Sequence, residues 1–174
     1  MRIRTGGPES AAVLLALLDG AVAWLAAQGR TGQWGPEPWS RRPGAADRAE
    51  RVTRENLVRI AEPDDGGDPI GICVLADRAP GNVPPAGEPE LFVRWLVTDR
   101  AYRGTGVGAA LVADAAQQAR TRGAGLLRVD CYAGGDGGLV AQYERLGFTR
   151  TATFVDDRPA GPWPGQVLAR RTGG

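Results

Sequence analysis

Apolar residues recur along the chain with two different periods, and these periods predict alternating helices and strands. Leu14, Leu18, Ala21 and Leu25 follow spacings of four, three and four residues, which marks one face of a helix. This helix is predicted to begin at Ser10, as its N-cap, and to end near residue 28. The next apolar residues are arranged differently and predict strands.

The remaining elements are predicted from shorter apolar stretches and from the turns that separate them. Further helices are predicted over residues 45–57, from the glycines of RGTGVG onward, and over residues 139–146. Strands are predicted over residues 1–5, 57–62, 69–77, 91–98, 126–132, 148–155 and 165–171. Strands that alternate with helices and end in a hairpin predict a single α/β domain over residues 1–174, with a mixed sheet covered by helices.

The composition excludes several kinds of chemistry. All 21 basic residues are arginine, and the chain has neither lysine nor histidine. A Ser-His-Asp triad, an HExxH zinc site, a Walker A phosphate loop and a Schiff-base lysine are therefore excluded. The net charge of +1 does not favour nucleic acid as a partner. Cys73 and Cys131 lack a CxxC spacing, so they are predicted to be buried thiols in a reducing cytoplasm rather than metal ligands.

The N-terminal segment shares basic residues and an apolar run with secretory signals. Glu9 precedes that run and Asp19 interrupts it, and the apolar positions have a helical period. We therefore interpret the segment as a folded helix of a cytoplasmic protein. No segment is expected to be long and apolar enough to cross a bilayer, so no membrane partner is predicted.

The stretch RGTGVG, residues 103–108, lies between a predicted strand and a predicted helix. Each glycine at a helix start costs about 1 kcal/mol relative to alanine, so the glycines need a reason. The first turn of a helix has unpaired N–H groups and the positive end of the helix dipole, and glycines let a phosphate approach them. Arg103 adds a guanidinium that suits phosphate. The stretch predicts a phosphate cradle; the alternative is a turn that only packs the helix against the sheet.

Two kinds of phosphate ligand are compatible with this loop. Gly104, Gly106 and Ala109 meet the loose dinucleotide pattern G-x-G-x-x-G/A, and Asp130 ends the next strand, where a ribose-binding acid belongs. The segment DRAYR separates the strand from the first glycine, however, and little chain follows Asp130 to complete a dinucleotide-binding sheet. A dinucleotide-binding oxidoreductase is therefore the second hypothesis.

Two stretches resemble the GNAT superfamily of N-acetyltransferases. LVTDRAYRGTGVGAAL is similar to the acetyl-CoA signature of that family, with Arg103, Gly106 and Gly108 at its fixed positions. YERLGF, which begins at Tyr143, is similar to the family's closing helix and strand. The segments WLAAQGRTGQW and RVDCYAG also resemble an actinobacterial branch of the family whose substrate is unassigned.

This resemblance implies a fold and a cosubstrate. The sheet would be central, twisted and mostly antiparallel, flanked by helices and splayed between the strands at residues 91–98 and 126–132. Acetyl-CoA would lie in the opening, without a metal, and its pantetheine would pair with backbone groups of Leu96, Val97 and Thr98. Asp136 stands where the family often has an asparagine and is a further candidate for cofactor contact. The pyrophosphate would bind a continuous run of residues: Arg103, Gly104, Thr105, Gly106, Val107, Gly108 and Ala109.

The resemblance also implies roles in catalysis. Tyr143 would be the general acid that protonates the departing thiolate, and the alternative is a core residue, because Tyr143 shares a helical face with Leu139. Glu90 and Asp130 are the candidate general bases, with a solvated charge or a salt bridge to arginine as the alternative for each. The amine would attack directly, because Cys131 has no histidine to activate it.

The acceptor would be a small-molecule amine. Trp34, Glu37 and Trp39, in the loop between the first two helices, could hold it together with Asp130, although the tryptophans could also only cap the core.

Arg94 and Trp95 are consecutive in a strand, so only one of them is expected to face the cleft. The predicted function is acetyl transfer from acetyl-CoA to a primary amine, by a monomer or a homodimer. The alternative is a CoA-binding module without catalysis.

Overall fold

The structure is a computed structural model, and it describes residues 1–173. Within these residues the chain forms seven strands and four α-helices. The strands are β1 (Arg2–Gly6), β2 (Leu57–Glu62), β3 (Gly71–Ala76), β4 (Glu90–Thr98), β5 (Leu126–Tyr132), β6 (Thr149–Arg158) and β7 (Gly161–Arg171). The helices are α1 (Ala11–Ala26), α2 (Ala45–Glu55), α3 (Val107–Thr121) and α4 (Gly138–Arg145). Element order and type agree with the sequence prediction throughout.

All seven strands belong to one sheet, in the order β1-β2-β3-β4-β5-β7-β6. The pair β4 and β5 is parallel, and the other five neighbouring pairs are antiparallel. Helix α3 makes the crossover that joins the two parallel strands. The predicted mixed, mostly antiparallel sheet is confirmed.

The helices cover both faces of the sheet. Leu14 and Leu18 of α1 are buried with Val58, Ile72 and Val97 of the strands, so α1 and α2 form one layer. Helices α3 and α4 form the opposite layer. The helical period predicts an inner face of α3 made of Gly108, Leu111, Val112, Ala115 and Ala119. The last four are buried together with side chains of β3, β4 and β5, and Gly108 is half-buried. Each leucine that is fully buried in this way stabilises the fold by about 2–3 kcal/mol.

The first helix corrects one expectation and refines another. The stretch Pro8–Ala26, 19 residues, is long and apolar enough to cross a membrane by length and composition, so the expectation that no segment would be is wrong. In the structure Leu14 and Leu18 are each 1% exposed, because they pack against the sheet. Ser10 precedes α1 as predicted, but its hydroxyl accepts a hydrogen bond from the Gly7 N–H instead of capping the helix.

The last hairpin is longer than its prolines suggest. A turn is predicted over residues 156–164, yet β6 continues to Arg158 and β7 starts at Gly161. Pro162 and Pro164 lie within β7 and pair with Asp157 and Val155 of β6. Strand β5 ends at Tyr132, opposite Gly165, so this part of β7 has a strand neighbour on one side only. Proline is tolerated at such an edge because no ladder hydrogen bond is required there.

Candidate active site

Strands β4 and β5 separate halfway along their length. They pair from Glu90 opposite Leu126 to Val93 opposite Val129, and no further. Beyond that point β4 remains paired with β3, and β5 remains paired with β7. The sheet therefore opens into a wedge at the place the sequence predicts.

A β-bulge lies at the start of this wedge. Val74 of β3 pairs with Trp95 and Leu75 pairs with Val93, so Arg94 is an extra residue in β4. Val93 and Leu96 both contact the core beneath α3, which leaves the two residues between them for the other side. Arg94 and Trp95 both line the cleft, so the expectation that only one would do so is wrong. Strict alternation of side chains fails at a bulge, and a single sequence does not reveal one.

The wedge leads into a cleft of about 670 Å³. Its walls come from α1 and the loop after it, from β4 and β5, from α4, and from the hairpin of β6 and β7. The aromatic side chains of the wall are Trp24, Trp34, Trp39, Trp95, Tyr132, Tyr143 and Trp163. The same wall carries eight arginines and three aspartates, and a cleft that combines aromatic surface with charged groups is typical of a small-molecule site.

The glycine loop joins β4 to α3 by a tight turn. The carboxylate of Asp99 accepts a hydrogen bond from the Ala101 N–H at 2.9 Å and so starts the turn. Gly104 and Gly106 have φ angles of +83° and +91°, which residues with a Cβ rarely adopt. Gly108 has no such angle; it lines the cleft within the first turn of α3. The glycines at 104 and 106 are therefore required by the backbone conformation.

The loop offers fewer free donors than the sequence suggests. The N–H groups of Arg103 and Thr105 donate to the carbonyls of Arg100 and Tyr102, each at 3.2 Å, so these two are already used. Within residues 1–173 the N–H groups of Gly104 and Gly106 have no acceptor. The N–H groups of the first turn of α3, residues 107–109, have no acceptor inside the helix, because the carbonyl of residue 106 already bonds residue 110. Within the predicted cradle, the backbone N–H groups without an acceptor are therefore those of residues 104 and 106–109.

Two arginines stack on one tryptophan beside this turn. The guanidinium carbons of Arg100 and Arg103 lie 5.1 Å and 5.5 Å from the ring centroid of Trp24 on α1. Burial, and next the charge of Arg103, lower the pKa of Arg100. The Nε of Arg100 is buried and has no hydrogen-bond partner among the described residues. Sequence reasoning found Arg103 but missed Arg100 and Trp24, because their contact joins two distant segments.

Tyr143 lies on the α4 side of the wedge. It is 8% exposed, lines the cleft, and packs edge-on against Phe148 with 5.6 Å between ring centroids. Burial raises the pKa of the Tyr143 hydroxyl well above its usual range, so the hydroxyl keeps its proton. Burial also raises the pKa of the neighbouring Cys131 thiol to about 12, so this thiol is not a ready nucleophile.

Asp130 lies on the opposite side of the wedge from Tyr143. Val129 and Cys131 face the core beneath α3 and α4, so Asp130, between them in β5, faces the α1 and α2 side. It lines the cleft. Burial raises the pKa of its carboxyl, and the charge of Arg94 partly opposes this effect. A carboxylate with a raised pKa is suited to accept a proton near neutral pH.

Glu90 lies outside the cleft. Its carboxylate binds the guanidinium of Arg128 at 3.1 Å, and each side chain is 6% exposed. The other carboxylate oxygen accepts from the Ala79 N–H at 2.9 Å. Both oxygens therefore serve an internal ion pair, and the structure does not bring Glu90 to the other predicted site residues.

The remaining candidates are only partly assembled at the cleft. Trp34 and Trp39 line it and also pack against the core beneath α1, so their position is compatible with both interpretations. Glu37 is exposed and is not part of the wall. Asp136 lines the rim, where its carboxylate accepts from the Gly138 N–H and from Arg30, each at 2.9 Å. The first of these hydrogen bonds, and next the charge of Arg30, lower the pKa of Asp136.

Trp163 is a wall residue that sequence reasoning missed. It lies in β7 between two prolines, within the segment that was predicted to be a turn. Its indole N–H donates to the carbonyl of Gln33 at 2.9 Å, which ties the loop after α1 across the cleft. Tyr132 packs beside it, with 5.6 Å between ring centroids. An aromatic residue between prolines was the only signal for this position.

The sheet opens between two strands beside a glycine loop, which is the arrangement that the resemblance to the N-acetyltransferases implies. The sequence profile of the Acetyltransferase (GNAT) family matches residues 20–148. Because the match covers most of the chain, the protein belongs to the GNAT acetyltransferase family. Comparison with curated protein sequences gives no match.

Solved structures share the fold over nearly their whole length. A candidate phosphinothricin N-acetyltransferase has a TM-score of 0.71 at 20% identity, covering 99% of both chains. The ribosomal-protein-alanine N-acetyltransferase from Brucella melitensis has a TM-score of 0.67 at 19% identity, covering 98% of this chain and 99% of its own. The yncA protein from Salmonella typhimurium, solved with its cofactor acetyl-CoA, has a TM-score of 0.68 at 15% identity, covering 99% and 94%. At these identities the likeness establishes the fold.

Among residues 1–173, no group of three or more histidine, cysteine or carboxylate side chains is arranged to hold a metal ion. Cys73 and Cys131 are both buried free thiols, as the sequence predicts.

Proposed function

We propose that the protein transfers the acetyl group of acetyl-CoA directly to the primary amine of a small molecule. The observation that carries the proposal is the wedge between β4 and β5, with a donor-rich helix N-terminus at its mouth. Tyr143 and Asp130 line this wedge from opposite sides. The dinucleotide hypothesis loses its support, because the glycine loop follows a strand of a largely antiparallel sheet, whereas a dinucleotide-binding fold has a mostly parallel one.

The residues present fit a pyrophosphate and a pantetheine arm. The unpaired N–H groups of residues 104 and 106–109, the dipole of α3 and the guanidinium of Arg103 all favour a diphosphate. Arg100, which stacks beside Arg103, adds a second positive charge. Leu96 and Val97 pair on one side with Cys73 and Ile72 of β3. Their strand edge on the other side faces the wedge, where an amide-containing arm can add as an extra strand.

The chemistry requires one proton to leave the amine and one to reach the sulfur. Asp130 accepts the proton of the attacking amine, directly or through a water molecule. The new N–C bond forms as the C–S bond breaks, while a backbone N–H at the edge of β4 donates to the developing oxyanion. Tyr143 then donates its proton to the departing thiolate. Cys131, with its raised pKa, supports direct transfer rather than an acetyl-cysteine route.

A small acceptor is supported by two contacts that cross the opening of the cleft. Both contacts hold the loop after α1 across this opening. The indole N–H of Trp163 donates to the carbonyl of Gln33, and Arg30 forms an ion pair with Asp136. These two contacts narrow the opening, which favours an amine on a small molecule over one on a folded protein surface. The buried free thiols support a reducing compartment such as the cytoplasm.

The test follows free-thiol release from acetyl-CoA in the presence of small amines and of a peptide that starts with alanine. Release that depends on a small amine, with the acetylated amine seen by mass spectrometry, supports the proposal. Acetylation of the peptide alone contradicts the small acceptor. Binding of acetyl-CoA without transfer to any amine indicates the non-catalytic alternative.

A further inference from the structure

Arg94 is the extra residue of the bulge, and the bulge turns it into the cleft. Its side chain is exposed, and within residues 1–173 its guanidinium has neither an ion pair nor a hydrogen bond. The acetyl-transfer mechanism does not use it. A cation held in a cleft wall without a partner is a candidate for binding an anionic group of a ligand.

Two of the other arginines that line the cleft, Arg42 and Arg158, are already engaged. Arg42 donates to the carbonyls of Trp34 and Glu37 and stacks on Trp39, with 4.1 Å from its guanidinium carbon to the ring centroid. Arg158 binds Asp156 at 3.3 Å. Arg94 differs from both because its donors are not committed to the protein.

Asp130 lies across the wedge from Arg94. Val93 and Val129 form the last pair between the two strands, and Arg94 and Asp130 are the residues that directly follow them. The charge of Arg94 acts on the carboxyl of Asp130, yet no ion pair of 4.0 Å or less joins them. The cleft therefore presents an anion and a cation at one level that are not joined to each other.

Two opposite charges that are not joined to each other match a molecule that carries opposite charges itself. Asp130 attracts an ammonium, and the five donors of a guanidinium fit a carboxylate. Trp39 and Trp95 pack edge-on beside this pair, with 5.0 Å between ring centroids, and Tyr132 lines the far wall. These rings offer an apolar surface to the rest of the molecule.

We propose that the acceptor is a free amino acid, with its carboxylate bound by Arg94 and its amine held by Asp130. The inference rests on the proposed acetyl transfer and names its substrate class. An amine without the carboxylate leaves Arg94 unpaired on binding, so Arg94 determines specificity.

The test compares each common amino acid with its amide and with the amine formed by its decarboxylation, for example phenylalanine, phenylalaninamide and phenethylamine. Binding is measured by calorimetry on the protein saturated with CoA and on the protein alone. We expect at least one amino acid to bind about 10- to 100-fold more tightly than its amide and than its decarboxylated amine, which both lack the carboxylate. Arg94→Gln brings this ratio close to one, and Arg94→Lys retains part of it. Arg51→Gln, which removes an exposed arginine of α2 outside the cleft, keeps the ratio.

Equal binding of acid, amide and amine overturns the inference, and so does a ratio that Arg94→Gln leaves unchanged. Circular dichroism of each variant establishes that the fold is intact. If amines are acetylated regardless of a carboxylate, the acetyl-transfer proposal stands and this inference fails. If acetyl-CoA does not bind, the acetyl-transfer proposal fails, and the titration without CoA still decides whether Arg94 and Asp130 bind an amino acid.

Discussion

Arg94 and Asp130 occupy the same level of the sheet, each one residue beyond the last pair that joins β4 to β5. The point where the strands separate is also the point where charged side chains enter the cleft. A continuous ladder would leave no room for a carrier molecule between the strands, and a strict alternation would turn either Arg94 or Trp95 away. The bulge in β4 and the separation of β4 from β5 together form the candidate site.

Tyr143→Phe removes a single hydroxyl from the cleft wall. We expect kcat to fall by about 10²- to 10⁴-fold while acetyl-CoA affinity and thermal stability change little, because the ring still packs against Phe148. Steady-state kinetics, calorimetry and thermal unfolding measure the three quantities. Tyr102→Phe, at a tyrosine that is 37% exposed and outside the cleft, is the matched control. An unchanged kcat in Tyr143→Phe would assign Tyr143 to the core alone.

Asp130→Asn separates stability from activity. Burial raises the pKa of Asp130 in the fold, so the folded state binds this proton more tightly than the unfolded chain does. The contribution of protonated Asp130 to the stability of the fold is therefore present at low pH, below the pKa that Asp130 has in the unfolded chain. It is lost as pH rises through the higher pKa that Asp130 has in the folded protein. At neutral pH the substitution should raise Tm, and the gain over wild type should shrink at acidic pH.

The same substitution should lower kcat/KM by about 10²- to 10⁴-fold, because the amide cannot accept a proton. In the wild type, kcat/KM should fall as pH decreases through the raised pKa of Asp130. Arg94→Gln should move this acid limb to higher pH, because the charge of Arg94 lowers that pKa. An acid limb that persists in Asp130→Asn would assign the base to another group.

Glu90→Gln should act on stability and not on chemistry. Arg128 would lose its buried partner, and an uncompensated buried charge of this kind costs about 3–5 kcal/mol. We expect urea unfolding to show this loss, while kcat per folded molecule stays close to wild type. The double variant Glu90→Gln, Arg128→Gln should recover part of the stability. A large fall in kcat with stability intact would restore Glu90 as the general base.

Gly106→Ala tests the backbone of the glycine loop. A Cβ at a φ of +91° is strained by about 1–3 kcal/mol, and the loop must distort to relieve it. We expect weaker acetyl-CoA binding and a lower Tm. Gly20→Ala is the control, because this glycine lies within α1 with nothing within 4 Å of an added Cβ. That change should stabilise the protein by about 0.5–1 kcal/mol and leave binding unaltered.

Local patterns predicted most of the fold. The apolar period of α1 and α3 and the short apolar stretches of β4 and β5 depend on neighbours in sequence, so they could be seen in one chain. The final hairpin could not, because Pro162 and Pro164 look like turn residues until β7 is known to have a free side there. Boundaries elsewhere moved by one or two residues.

The candidate site was predicted where it is local and missed where it depends on contacts between distant segments. The glycine loop RGTGVG and Tyr143 could be predicted because each lies in a short local motif of the sequence. The pairing of Glu90 with Arg128 joins residues 38 positions apart and withdraws Glu90 from the cleft. The stacking of Arg100 on Trp24 is equally non-local. Such contacts follow from the register of the sheet and from the packing of α1 beside it, which a single sequence does not specify.

The central claim is that the wedge beside the glycine loop binds acetyl-CoA. Calorimetric titration with acetyl-CoA, with NAD in parallel, tests it on the wild type and on Arg103→Ala. The account predicts acetyl-CoA binding near the micromolar range, about −8 kcal/mol, weakened about 10- to 100-fold in Arg103→Ala, and no heat from NAD. Binding of NAD without acetyl-CoA, or no binding of acetyl-CoA at all, would contradict it.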